Sequence, residues 1–184
     1  MGRKLKYHEQ VLLKKHNFLY SKRDTNLREL HVLRRYGIED RSDYLKYNRL
    51  VGKIQELAHR LKKLPPTDDF RIATTEKLLE KLYSKGLIPT AKSLEQCEDV
   101  GVATLCRRRL PIVMMRLKMA ENVTAATNLI KQGHVRVGPN TITDPAYFVS
   151  RSMEDHLTWV EGSKIKRTVA TYNDKLDDYD LIGA

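Results

Sequence analysis

Cysteine is scarce: Cys97 and Cys106 are the only two in 184 residues, and they form no C-x-x-C pair. That excludes a disulfide scaffold and the usual zinc modules, and it fits a reduced intracellular compartment. No apolar run approaches the roughly 20 residues needed to span a bilayer, so no membrane association is expected. The first ten residues, MGRKLKYHEQ, contain no secretory apolar region. Gly2 would suit a myristoylation signal, but Lys6 stands where that signal takes Ser or Thr. Catalytic signatures are missing too. There is no G-x-x-x-x-G-K-S/T, no G-x-S-x-G and no H-E-x-x-H. The histidines show no ligand spacing. No catalytic residue, metal ligand or cofactor is therefore assigned. The sequence also has no internal repeat and no low-complexity tract.

Acidic residues are nearly absent from one stretch. Residues 107–136 carry 7 basic side chains and 1 acidic one, net +6. Residues 1–63 carry 17 and 7, net +10, whereas residues 64–106 carry 5 and 7, net −2. The final stretch, DKLDDYDLIGA, is net −3. The whole chain is at +11. Two separated basic segments point to a polyanionic partner.

The first half reads as helices. TNLRELHVLRRYG has a cap at Thr25 or Asn26, an inner face of Leu27, Leu30 and Leu33, and a stop at Gly37. In SDYLKYNRLVGKIQELAHRLKKLPP, a stripe of Leu50, Ile54, Leu57, Leu61 and Leu64 follows a cap at Ser42 and ends at Pro65-Pro66. TTEKLLEKLYSKG repeats the pattern, with Leu78, Leu79 and Leu82 inside and Gly86 closing the helix. Residues 87–105 read as a linker with short irregular structure.

CRRRLPIVMMRLKMA, residues 106–120, then sets three arginines before a short apolar helix. Pro111 belongs in a first turn, so the helix starts near Arg109. Leu110, Val113, Met114, Leu117 and Ala120 share one face. Ile112, Met115 and Met119 face away, to pack on the N-terminal helices or else to form a partner surface. A second helix, NVTAATNLIKQG, starts at Asn122 or Thr124 and stops at Gly133. The period then changes to two. HVRVGPNTI is a hairpin turning at Gly138-Pro139-Asn140, with His134 and Arg136 on one face and Val135 and Val137 on the other. AYFV and HLTWV read as further strands, and Trp159 as core. SKIKR, residues 163–167, is a basic run of the type used in nuclear import, a pattern too common to decide anything. In this reading Arg109 and Arg116 lie side by side on the first helix, where guanidinium forks match phosphate oxygens.

The stretch RRRLPIVMMRLKMAENVTAATNLIKQGHVRVGPNTITDPAYFV resembles the alpha-L RNA-binding motif. That motif is shared by the fourth small-subunit ribosomal protein, pseudouridine synthases and some tRNA synthetases. The hairpin with Gly133 before it is the specific part. The ribosomal motif often has Asp after Arg-Leu, where this chain has Pro111. LRRYGIEDRSDYLKYNRLVGKIQELAHRLKKLPPTDDFR and KLLEKLYSKGLI resemble that ribosomal protein's N-terminal helices. MGRKLKYHEQVLLKKHNFL, CRRRLPIVMMRLKMAE, QGHVRVGP, DPAYFVSRSMEDHLTWV and SKIKR resemble most closely the Imp-three family of the U-three small nucleolar ribonucleoprotein.

This resemblance implies an α+β fold in three parts: a helical region over 1–106, an alpha-L RNA-binding domain with short strands over 107–173, and an acidic tail over 174–184. It implies RNA contact at Arg107, Arg108, Arg109, Arg116, Lys118, Lys131, His134 and Arg136. The implied partners are the U-three small nucleolar RNA, pre-ribosomal RNA, the scaffold protein Mpp-ten and other small-subunit processome proteins. The implied location is the nucleolus, and the implied role is non-enzymatic promotion of guide pairing in ribosome biogenesis. Two alternatives stand beside it: a structural ribosomal protein of the same superfamily, and a mainly protein-binding scaffold. The bland alternatives are an ordinary solvated patch for the arginine run and a structural turn residue for His134.

Overall fold

The computed structural model describes residues 3–15 and 26–174. Thr25, and the acidic tail from residue 175 onward, lie outside the described residues. A short helix, Tyr7–Lys15 (α1), precedes the helical region proper. Helix Leu27–Tyr36 (α2) starts at Asn26, whose side-chain oxygen accepts the Glu29 N–H. It ends at Gly37 in the left-handed region, φ +58°, a conformation that costs glycine nothing. The expected inner face needs correction. Leu27 is 76% exposed, whereas Glu29 and Tyr36 are buried. Glu29 is held by Arg41 of the next helix, whose Nη2 lies 2.9 Å from Oε2.

In that next helix, Arg41–Lys63 (α3), the N-cap position is Asp40 rather than Ser42, with no side-chain cap bond, and the helix stops before Pro65. Its buried face is Val51, Ile54, Ala58 and Leu61, at steps of three and four. Leu50 and Leu57 sit one residue to the side and are exposed. The period was legible, but the stripe's centre was not, because Ala58 and Val51 fill the close approach to the neighbouring segments. Helix Asp69–Ser84 (α4) begins a turn earlier than the pattern suggests and buries Leu79 and Leu82. Gly86 follows at φ +73°, and the Leu87 N–H returns to the Leu82 carbonyl at 2.9 Å.

Residues 87–105 are not a linker. They contain short helices Glu95–Glu98 (α5) and Val102–Cys106 (α6). Leu87, Ile88, Cys97, Val100 and Leu105 join the α3 and α4 residues in one core cluster. Gln55 pins the segment to α3 by donating to the carbonyls of Glu98 and Val100, both at 3.0 Å. The apolar residues here have no helical or alternating period, so pattern reading had nothing to hold.

The second unit consists of helix Leu110–Arg116 (α7), helix Val123–Lys131 (α8) and a three-stranded antiparallel sheet. Its strands are Val135–Val137 (β1), Asn140–Thr141 (β2) and Leu157–Trp159 (β3), in the order β2-β1-β3. β1 pairs Val137 with Asn140 and, on its other side, Val135 with Trp159. Gly138, at φ +59°, supplies the left-handed residue of the β1–β2 turn. AYFV is not a strand; Phe148 makes one isolated bridge to Arg109. Leu110, Val113, Met114, Ala126, Ile130, Val135, Val149 and Leu157 form this unit's core, with Trp159 and Met119 packed against it. Leu117 lies past the end of α7 and is exposed. Two more helices follow, Arg151–Glu154 (α9) and Lys164–Tyr172 (α10).

A small third cluster, Tyr36, Ile38 and Cys106, joins the two units, and Ile112 packs against it. Ile112 thus contacts the helical region, as expected of a residue facing away from the main stripe. Both cysteines are free and buried. Burial pushes the Cys106 thiol up to about 11 and also raises that of Cys97. A thiol reacts as its thiolate. At mildly alkaline pH, iodoacetamide should therefore modify neither cysteine in the folded chain and both in denaturant. Mass spectrometry reads the outcome, and native labelling of Cys106 would show that the joint between the units is open.

Candidate nucleic-acid interface

The three consecutive arginines separate into two functions. Arg107 is exposed, whereas Arg108 and Arg109 are each only 4% exposed. The cause is the chain's path. The Val149 N–H donates to the Arg108 carbonyl and the Leu110 N–H to the Tyr147 carbonyl, both at 2.9 Å. The segment over 147–149 is therefore laid against the arginine run, covering it. Arg108 Nε then donates to the Val149 carbonyl at 2.9 Å, and its Nη1 pairs with Glu154. Burial lowers the Arg108 pKa, with Glu154 opposing, yet a guanidinium stays charged at any working pH. Gly86 closes the enclosure. A Cβ there would come within 2.7 Å of the Arg108 Cζ.

Arg109 turns the other way. It is the N-cap of α7, with Pro111 tolerated in the first turn. Its Nη1 reaches back to α3, 3.1 Å from Asp43 Oδ2 and 3.1 Å from the Tyr47 hydroxyl. Burial works against the Arg109 charge, but Tyr47 and Asp43 outweigh it, and the net shift is upward. Burial likewise raises Asp43, but bonds from Arg109 and Lys46 prevail and hold its carboxyl below the usual range. Arg109 and Arg116 are therefore not side by side at the surface. The guanidinium that shares a partner with Arg116 is that of Arg108, through Glu154.

Of the other expected contact residues, Arg116, Lys118 and Lys131 are exposed, and His134 and Arg136 are half-buried. Arg116 ends α7, exposed and paired with Glu154. Lys118 follows at φ +59° on an exposed turn, with no ion pair among the described residues. Lys131 closes α8 and reaches Glu39, with Nζ 2.6 and 2.8 Å from the two carboxylate oxygens. Arg136 is half-buried on β1, bonded to the Thr158 hydroxyl at 3.0 Å and to Glu161 at 2.9 Å. His134 Nδ1 lies 3.0 Å from the Ser163 hydroxyl, a structural tie between hairpin and α10. The sequence reading missed Glu39, Asp43, Tyr47, Glu154, Glu161 and Ser163. Each acts across a long separation, up to 92 residues for Glu39 and Lys131, with no local signal.

The result is a unit whose solvent-reaching cations are Arg107, Arg116, Lys118, Lys131 and Arg136. An exposed ion pair contributes about 0–1 kcal/mol, so a phosphate can replace Glu39 or Glu161 at low cost, whereas Glu154 also holds buried Arg108 and stays in place. The surface suits a phosphate backbone, which positions a nucleic acid without reading its bases.

Two family models cover most of the chain. The ribosomal protein S4/S9 N-terminal domain matches residues 4–107, and the S4 domain matches residues 108–155. The chain is 54% identical over 182 residues to the human U3 small nucleolar ribonucleoprotein protein IMP3, covering 98% of this chain and 99% of that one. The Saccharomyces cerevisiae protein of the same name is 53% identical, with 98% and 100% covered. The Small ribosomal subunit protein uS4 of Metallosphaera sedula is 29% identical over 144 residues, 78% of this chain and 79% of that one.

Truncating one partner of a buried ion pair typically costs about 3–5 kcal/mol. Arg108→Ala should therefore lower the unfolding free energy by that order, whereas Arg107→Ala should shift it by less than about 0.5 kcal/mol. Gly86→Ala, which strains the left-handed backbone and strikes Arg108, should cost about 1–3 kcal/mol. Urea titrations measure all three, and equal small effects would remove Arg108 from the joint. The Asp43–Arg109 pair has its own signature. Because the Asp43 pKa is depressed, its contribution is complete above the unfolded value of about 3.9 and is lost as pH falls below it. Asp43→Asn should thus flatten the acid limb of a stability–pH curve.

Proposed function

The chain belongs to the family of the U3 small nucleolar ribonucleoprotein protein IMP3, and on that premise we propose that it is a non-enzymatic RNA-binding subunit of that particle. Its work is early small-subunit ribosome biogenesis in the nucleolus. Its partners are the U3 small nucleolar RNA, pre-ribosomal RNA, the scaffold protein Mpp-ten and other processome proteins. The division of labour follows the three parts of the chain: a helical region over 1–106, an RNA-binding unit over 107–173 and the acidic tail over 174–184.

The observation that carries this reading is the cationic surface of the second unit, fixed to the first by buried Arg108 and Arg109. Arg107, Arg116, Lys118, Lys131 and Arg136 are the contact residues in this reading. Arg108, Arg109 and His134 serve the interface from inside, by holding the elements that carry the others. A guide RNA and its target are both polyanions, so their pairing is slowed by mutual repulsion. A surface displaying Arg107, Arg116, Lys118, Lys131 and Arg136, together with the basic first segment, screens both strands and raises their local concentration. The gain is in rate, with no covalent chemistry and no nucleotide hydrolysis.

A stopped-flow annealing assay with a labelled guide fragment and its complement tests the role. Wild-type chain should accelerate pairing without ATP, and the variant with Arg116, Lys118, Lys131 and Arg136 changed to Ala should not. Each lost phosphate contact should also reduce the log–log salt slope of binding by about 0.7–0.9. Equal annealing rates for the two proteins would make the subunit a passive structural one.

A further inference from the structure

Helix α10 lies beyond residue 155, where the matched RNA-binding domain ends. Its nine residues, KIKRTVATY, contain three cations and no acid. None of its side chains is buried, and Tyr172 is 89% exposed. Lys164, Arg167, Thr168, Thr171 and Tyr172 line one open face. The helix is nevertheless held firmly at its start. The Ser163 hydroxyl accepts the Ile165 N–H as the cap and also meets His134 Nδ1 at 3.0 Å. The Val160 N–H donates to the His134 carbonyl at 3.0 Å, and Ser163 itself is buried. Glu161, two residues before Ser163, pairs with Arg136. The helix therefore springs from the cationic hairpin and continues its charge outward.

We propose that α10 is a second RNA site, one that takes a single strand leaving the surface described above. Lys164 and Arg167, one turn apart, face consecutive phosphates. The exposed Tyr172 ring, two turns from Lys164, provides a stacking platform for an unpaired base. Eight residues of helix span about 12 Å, the length of three to four stacked nucleotides at ~3.4 Å each along one strand. Cations followed by an exposed aromatic are the two elements by which proteins hold single strands without strict sequence preference. An acidic protein would need only the cations; the ring distinguishes the two ligands.

This inference rests on the RNA-binding reading of the α7–α8–hairpin unit, and the experiment separates the two. The full chain is titrated with a blunt RNA duplex and with the same duplex bearing a single-stranded extension. Four proteins are compared: wild type, Lys164→Ala with Arg167→Ala, Tyr172→Ala, and the variant with Arg116, Lys118, Lys131 and Arg136 changed to Ala. Because no α10 side chain is buried, the first two variants should melt as wild type does. Support is a stronger hold of wild type on the extended RNA, lost about tenfold by Tyr172→Ala, whose binding to the blunt duplex is unchanged. The Lys164/Arg167 variant should also reduce the salt slope for the extended RNA by about 1.4, two contacts at ~0.7 each. If both α10 variants bind the extended RNA as wild type does, while the four-residue variant loses both RNAs, α10 is no RNA site and the main interface stands. If wild type binds neither RNA, both readings fall.

Discussion

Arg108 and Arg109 are the constraint on which the rest of the architecture depends. They are adjacent in sequence and point in opposite directions. One reaches forward to the Val149 carbonyl and Glu154, the other back to Asp43 and Tyr47 on α3. Between them they fasten the helical region, the start of α7 and the 147–154 segment at one place. The neighbouring residues complete the joint. Gly86 gives way to the Arg108 guanidinium. Arg151 donates to the Ile88 carbonyl at 2.8 Å and lies 4.3 Å from the Tyr83 ring centroid. Geometry of this kind suits Arg and not Lys, because a planar fork makes several directed bonds from a fixed position. The apolar contact of Ile112 with Tyr36, Ile38 and Cys106 adds area to the joint, but area alone does not set an angle.

Such a joint explains why the surface cations can be weakly tethered without being disordered. Arg116, Lys131 and Arg136 stand on short elements whose backbones are fixed from beneath. Glu39 and Glu161 then keep Lys131 and Arg136 near one position without binding them tightly, and Glu154 holds Arg116 while also pairing with buried Arg108. An exposed pair holds by about 1 kcal/mol or less. A phosphate backbone offers many sites and releases counterions as it binds, so it prevails over any one glutamate. Buried pairs fix geometry and exposed pairs stay exchangeable, although the residue types are the same.

That distinction is also where sequence reading stops. The run of three arginines is conspicuous and its charge is real, but charge does not say which side is covered. Burial of Arg108 and Arg109 is decided by carboxylates 46 and 66 positions away and by a segment, AYFV, whose alternation suggested a strand. By contrast, features whose cause is local were legible. Gly37, Gly133 and Gly138 mark left-handed backbone, Pro65 follows the end of α3, and the valines of β1 face inward. The α3 stripe was legible in period and displaced by one residue at two of its positions, whereas Leu79 and Leu82 of α4 and Leu110, Val113 and Met114 of α7 are buried as expected. Leu50 and Leu57 carry as much hydrophobicity as Val51 and Ala58, yet the smaller residues went inward because α3 lies close to the 95–105 segment. Residues 87–105 were missed because a core built from irregular backbone has no period to detect. Each of these misses has one cause: the deciding neighbour is distant in sequence.

The two halves of the basic charge likewise depend on residues distant in sequence. Of 34 basic side chains set against 23 acidic ones, several are answered internally by Glu29, Asp43, Glu56, Glu98 and Glu154, and the net +11 is the excess beyond all such pairing. Part of the excess lies on the helical region, net +10 over residues 1–63, and part is gathered by the fold of the second unit. Arg107, Lys118 and the cations of α10 are separated by up to 60 residues, yet all belong to the unit built on α7, α8 and the sheet. Because Arg108 and Arg109 fasten that unit to the helical region and to the 147–154 segment, the field it produces has a set direction relative to the helical region. A bound RNA therefore takes an orientation as well as an affinity. Contact with the backbone from one side positions a nucleic acid and leaves its bases free.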